Sequence, residues 1–340
     1  MKTLFTLGVA CLISVSSSTA QTGSAKAAVP RPATVSPATP QQMLPKSTAP
    51  AFPPVDPKNF VAKSPTVETV NSFLHALWGY DPDRMWSVAA IEPTIAPGVV
   101  RVQAYIAEKT SPGKLGQTTL YVTPDGKHAI AGEVVSFGQQ PFAETRNLLQ
   151  QRANGPARGA KNKDLELVEF ADLQCSNCKA AQGTMDQLQQ DFPQAHIVFE
   201  NFPLTTVHPF AFQAAAIGYC VQKTKGDSAS FIYMQKVYDL QADLTKDKID
   251  GALQAAITAS GADTAAVLAC ASTPAAHEAV NATIQLAADA GITNTPTLVI
   301  NGRALPIAQI AYETLKRVIV FQGSLDGVTV QEQPSLKTLK

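Results

Sequence analysis

The fifteen residues 165–179, L-E-L-V-E-F-A-D-L-Q-C-S-N-C-K, constrain this 340-residue chain more than any other stretch. Residues 165–171, L-E-L-V-E-F-A, read as a mainly apolar strand, and a short turn leads to Cys175 and Cys178, two residues apart at the start of a helix expected over 176–192. Pro193 stops that helix. A cysteine at a helix N-terminus faces unpaired backbone N–H groups and the positive end of the helix dipole, both of which favour its thiolate. The second cysteine lies within disulfide reach, so the pair can cycle between dithiol and disulfide.

The same spacing serves zinc, but a structural zinc site needs four ligands. The sequence offers no second C-x-x-C, Cys-His or His-His pair, so neither a metal nor a cofactor is expected. His75 and His128 lack companion ligands nearby and read as ordinary surface or boundary residues. The formal net charge is zero, which leaves no basic footprint for nucleic acid.

A second motif lies late in the chain, where Thr295-Pro296-Thr297 precedes an apolar strand over 298–300. Together, E-F-A-D-L-Q-C-S-N-C and G-I-T-N-T-P-T-L-V-I-N-G resemble the DsbA-like thioredoxin-fold oxidoreductases of the bacterial envelope, over residues 162–322. The resemblance implies a thiol–disulfide oxidoreductase with a cis-proline at Pro296 packed against the active-site disulfide. It implies that Cys175 attacks substrate disulfides and Cys178 resolves the mixed disulfide. It also implies partners: cysteine-containing exported proteins as substrates, and a membrane redox partner.

Glu169 shares a strand face with Leu165 and Leu167 and sits six residues before Cys175. Burial there raises the pKa of a carboxyl. The position matches the buried acid of that family, a proton acceptor for Cys178; a salt-bridged structural acid is the other reading. Strongly oxidising relatives place a histidine between the cysteines, whereas Ser176-Asn177 brings no cation. Cys175 is therefore expected to be a weaker acid than in those relatives, with a potential between about −120 and −270 mV. Thr295 matches isomerase-type relatives.

In chain order, residues 1–20 read as a signal peptide: Lys2, an apolar run over 4–15 and the small-residue ending Ser18-Thr19-Ala20. Cys11 leaves with it, and Gly8 and the short apolar segment fit poorly with an acylation site there. Export places the protein in the periplasm or beyond the cytoplasm, where disulfides persist. Residues 21–63, rich in Pro, Ala, Ser and Thr, read as a disordered linker.

A small α+β domain is expected over 64–152. Ser64-Pro65 would cap a helix, followed by strands over 99–108, 118–123 and 128–135 and a connecting helix over 141–152. Trp78, Tyr80 and Trp86 would contribute to its small core or line a groove. The hairpin L-Y-V-T-P-D-G-K-H-A-I-A-G-E resembles the cystatin-like domain of the DsbC and DsbG isomerases, which implies a homodimer. Residues 154–162 read as a turn-rich boundary.

The expected architecture is thus α/β: a thioredoxin fold over 162–322 with a helical insertion at about 209–290, after the small domain and linker. Residues 323–340 read as a frayed tail. Cys220 and Cys270 fall on helices of the insertion and are most simply one structural disulfide; free buried cysteines and a second redox relay are the alternatives. Three functions follow: a dithiol oxidase, a dimeric isomerase or reductase, or a thioredoxin-fold chaperone whose disulfide is not catalytic.

Overall fold

The computed structural model describes residues 52–331 apart from positions 112 and 133, and these residues fall in one compact unit, Ser47–Lys340. The expected signal peptide at 1–20, the linker as far as residue 51 and the tail from residue 332 lie outside the described residues. The N-terminal part begins with a short 3-10 turn, Pro57–Asn59, and helix α1, Val67–Trp78. Strands β1 (Arg84–Pro93), β2 (Val100–Glu108), β3 (Leu115–Val122), β4 (His128–Ile130) and β5 (Val134–Ser136) then form an antiparallel meander. Val70, Phe73 and Leu74 of α1 pack on Ile91, Val102, Leu120 and Val122 of this sheet.

Three details depart from the sequence reading. Residues 52–63 are not a loose tether, because Phe60 bridges Ile91 and the Ala62 N–H donates to the Ile91 carbonyl at 3.1 Å. The cap of α1 is Thr66 rather than Ser64, its hydroxyl accepting from the Thr69 N–H. Strand β1 was not legible because a bulge between Val88 and Ala90 breaks the period-two pattern and leaves four consecutive buried residues, Val88 to Ile91.

Helix α2, Ala143–Arg152, leads into the second sheet. Its first strand, β6 (Ala157–Gly159), lies inside the expected boundary segment and pairs antiparallel with a later strand, so that segment is structural. There follow β7 (Glu166–Ala171), α3 (Ser176–Asp191) and β8 (His196–Asn201). The helical insertion comprises α4 (Ala211–Lys225), α5 (Asp227–Asp239), α6 (Ile249–Ala259), α7 (Thr264–Ala271) and α8 (Pro274–Asp289). Strands β9 (Thr297–Ile300) and β10 (Arg303–Leu305) and helix α9 (Tyr312–Leu325) complete the fold.

The strand order is β10-β9-β7-β8-β6, with β7 and β8 parallel and the other pairs antiparallel. Every residue of β7 is buried, the carboxyls of Glu166 and Glu169 included. Leu167 and Ile197 face α3 and α9, whereas Val168, Phe170 and Val198 face α2 and α8. The stretch beyond α9 is not frayed as far as it is described: Val328 and Val330 pack on the core, and the Gln331 carbonyl accepts from Gln194.

Arg303 fastens the two sheets together. It is 8% exposed, donates to the Ala76 and Leu77 carbonyls at the end of α1, and lies between the rings of Tyr80 and Phe142. Those carbonyls have no partner within the helix, and a guanidinium both fills them and complements the negative end of the dipole. Gly302, with φ +90°, permits this contact, since any Cβ there would strike the backbone of Phe142 and Arg146.

Cys220 and Cys270 form a disulfide joining α4 to α7, with Cα atoms 5.9 Å apart and a sequence separation of 50. The chain-entropy relation assigns such a loop roughly 4 kcal/mol. Replacing both cysteines with serine should lower the urea unfolding free energy by about that amount. An unchanged unfolding midpoint at unchanged slope would show that the bridge does not stabilise the insertion.

Candidate redox site

The site is built where β7 hands over to α3. Cys175 occupies the position just before the helix, in extended backbone geometry (φ −79°, ψ 122°), and Cys178 lies one turn in. Both thiols are free, Cys175 at 7% exposure and Cys178 at none, while Ser176 and Asn177 between them are exposed. The Thr295–Pro296 peptide is cis, and Pro296 is buried at the start of β9, next to β7 in the sheet.

The two sulfurs have opposite tendencies. The Cys175 thiol is drawn well below its ordinary value, first by the hydrogen bond from the Cys178 thiol, against the cost of burial. The Cys178 N–H, the Thr295 hydroxyl and the Asn177 N–H add to that stabilisation. The sulfur closes no full capping bond, so these are convergent dipoles rather than one strong partner. Cys178 is pushed far up by its bond to Cys175 and by burial, opposed by the Asp172 N–H that donates to its sulfur at 3.4 Å. The Thr295 hydroxyl is buried without a well-formed hydrogen bond, yet it favours the anion at both sulfurs.

Glu169 is 2% exposed on β7, and desolvation raises its carboxyl to about 7. Its direct partner is the Gln182 amide of α3, which donates to Oε1 at 2.9 Å and to the Cys178 carbonyl at 3.1 Å. Among the described residues Glu169 makes no ion pair, so the salt-bridged reading is not what the structure shows. Arg158 and Asp186, paired at 2.7 Å, act on it from further away with opposing charges. Gln182, Arg158 and Asp186 also line a 390 Å³ cavity between α3 and α5, so solvent comes within one amide of Glu169.

Several residues here had no role assigned from the sequence. Asp172 is buried and accepts from the Gln174 N–H (2.7 Å), the Leu204 N–H (2.7 Å) and His208 Nδ1 (2.9 Å). His208, which stands before Pro209, therefore buttresses the cysteine loop. Gln174 and Gln241 tie that loop to the insertion, donating to the carbonyls of Leu244 and Leu173. Tyr238 of α5 is buried with the cysteines in one apolar cluster, its hydroxyl unpartnered among the described residues. Those residues hold no group of three or more His, Cys, Asp or Glu side chains placed for a metal ion.

A family model described as thioredoxin matches residues 151–320, half of the chain. The protein belongs to the thioredoxin family. The matched half contains both cysteines, Glu169 and the cis-proline, and it is the half built on the β10-β9-β7-β8-β6 sheet. Solved structures similar to this thioredoxin-family chain include a periplasmic thioredoxin-like protein from Salmonella enterica serovar Typhimurium. It is 21% identical, with 53% of this chain and 97% of that one covered, at a TM-score of 0.43. BdbD from Bacillus subtilis is 19% identical over 50% of this chain and 93% of its own, at 0.45. The catalytic domain of ScsC from Proteus mirabilis is 20% identical over 53% and 98%, at 0.43.

Curated relatives include Na(+)/H(+) antiporters NhaA. The one from Herminiimonas arsenicoxydans is 26% identical over 52% of this chain and 27% of its own length. One from Salinispora tropica is 36% identical over 17% and 9%. The chain thus spans a small part of these antiporters, and among its described residues no helix is long and apolar enough to cross a membrane.

The raised Glu169 carboxyl makes a signed prediction. Well below its ordinary value of 4.5 the acid is protonated in both folded and unfolded states, and the two diverge from about that pH upward. As pH climbs through about 7 the unfolded chain has released a proton that the folded protein still holds, so native stability falls, by about 3 kcal/mol in all. Glu169→Gln should remove that loss, leaving the variant more stable than the parent above neutrality, by urea unfolding from about pH 4 to about pH 9. Glu200, raised in the same way, contributes equally to both proteins and cancels. Parallel pH profiles for parent and variant would refute the assignment.

Proposed function

We propose that this protein is an extracytoplasmic thiol–disulfide oxidoreductase working through Cys175 and Cys178. The observation that carries the reading is the asymmetry of the pair: one sulfur near the surface and favoured as thiolate, its partner fully buried and favoured as thiol. Such a pair directs attack to Cys175 and keeps Cys178 for the internal step.

In the oxidising direction a substrate thiolate attacks the Cys175 sulfur of the Cys175–Cys178 disulfide. The sulfur–sulfur bond breaks, and its electron pair departs on Cys178. That thiolate is buried and unfavourable, so it takes a proton; Glu169, poised near neutrality, is the donor in this half and the acceptor when the reaction runs in reverse. Gln182 holds the carboxylate towards the Cys178 turn, and the adjoining cavity returns the proton to solvent. A second substrate thiolate then attacks the mixed disulfide and releases Cys175 as thiolate, the better leaving group. Substrates on this reading are cysteine-containing exported proteins, and a membrane redox partner restores the disulfide.

The test is the redox equilibrium of the Cys175–Cys178 pair against glutathione with Cys220 and Cys270 in place. The expected potential falls between those of the strong oxidase and of thioredoxin, about −120 and −270 mV. Cys178→Ser should accumulate a stable mixed disulfide at Cys175, and Cys175→Ser should abolish exchange. A pair that never exchanges with glutathione in either direction would overturn the function, leaving a binding role for the fold.

A further inference from the structure

A second site lies on the sheet face away from the cysteines. Side chains alternate along β8, so Phe199 shares the face of Glu169, with which it is in register, and Glu200 projects to the other, beneath α2 and α8. Glu200 is completely buried. Its Oε1 accepts from the Asn154 and Gly155 N–H groups at 2.6 and 2.8 Å. Its Oε2 is equally buried and finds no hydrogen-bond donor among the described residues. The next residue, Asn201, has the same deficit at Oδ1.

Both residues line one cavity of 540 Å³, a volume typical of small-ligand sites. The rest of its wall is mixed: a small apolar stretch of Ala215 from α4 and Ala279, Val280 and Ala282 from α8 faces the polar Gln222, Lys223, Asp227 and Thr283. Acceptors of this kind call for a donor, and a buried carboxylate calls for a cation. The nearby lysines do not supply one. Lys163 is engaged by Glu166 at 3.3 Å and the Gln150 carbonyl at 2.9 Å, and Lys223 at the rim rests over the Tyr219 ring. Burial accordingly holds the Glu200 carboxyl up to about 7.

We propose that this cavity binds a primary alkylammonium group, its N–H donors on Glu200 Oε2 and the Asn201 carbonyl and its aliphatic stem along the alanine- and valine-lined wall. An ammonium carries three donors and no acceptor, matching a site whose deficit is entirely of donors. The apolar wall selects a straight stem over a bare cation. The group is either a free alkylamine or the side chain of a lysine on another polypeptide, which present the same chemistry.

The experiment is calorimetric titration of the full chain with n-butylammonium, against 1-butanol, which lacks the charge, and tetramethylammonium, which lacks the donors. Saturable binding of n-butylammonium alone is expected, weakened about tenfold or more in Glu200→Gln, as removal of a charge-assisted contact implies. That variant keeps an oxygen for the Asn154 and Gly155 N–H groups, so the loop fold is preserved. A capped lysine amide that binds as well as n-butylammonium identifies the lysyl source, and one that does not identifies a free amine. Absence of saturable binding, equal binding of the three probes, or unchanged affinity in Glu200→Gln overturns the proposal.

Discussion

The cysteine site depends on one buried carboxylate. Asp172 follows the last residue of β7, and its two oxygens collect hydrogen bonds from the loop to α3, from the loop after β8 and from His208. Its own N–H points at the Cys178 sulfur. The ends of two parallel strands are thus tied at one point, and the turn carrying Cys175 is fixed from behind. A buried carboxylate is tolerable only when such partners fill its lone pairs. Here they also leave three donors that would be stranded without it, so the loop geometry and the Asp172 side chain stand or fall together.

The N-terminal sheet belongs to the same mechanical unit. Arg303 sits on β10, the edge strand of the second sheet, and reaches back to the last carbonyls of α1. A charge this deeply buried would be costly alone. The carbonyls, the two aromatic rings and the close backbone approach at Gly302 compensate for its lost water.

What was legible in the sequence follows from how local each signal is. Strand β7 and the helix after it were readable because a mainly apolar stretch of strand length runs into a turn and the cysteine pair, and because Pro193 marks the stop. Strand β1 and strand β6 were not, the first because a bulge scrambles its alternation and the second because three residues around Arg158 carry no period. At the site, the cysteines announce themselves by spacing, Glu169 by its place on a buried strand face, and Thr295-Pro296 through the family resemblance. Asp172, Gln182, His208 and Tyr238 do not, since their roles arise only when α3, α5 and the loop after β8 converge.

Glu169 and Glu200 show why a perturbed acid is not by itself a functional assignment. They are on adjacent central strands, equally buried, and both raised to about 7 by desolvation. Glu169 shares the Gln182 amide with the Cys178 carbonyl at the start of α3, whereas Glu200 lines a cavity without sulfur. Burial alone therefore sets the acidity, and the neighbours set the chemistry. The same division holds for the cysteines. The largest contributions to the acidity of Cys175 come from a thiol, two N–H groups and a hydroxyl. An anion stabilised by oriented dipoles depends on the helix start and the Thr295 loop staying in register. This is why the constraint at Asp172 bears on reactivity as well as on shape.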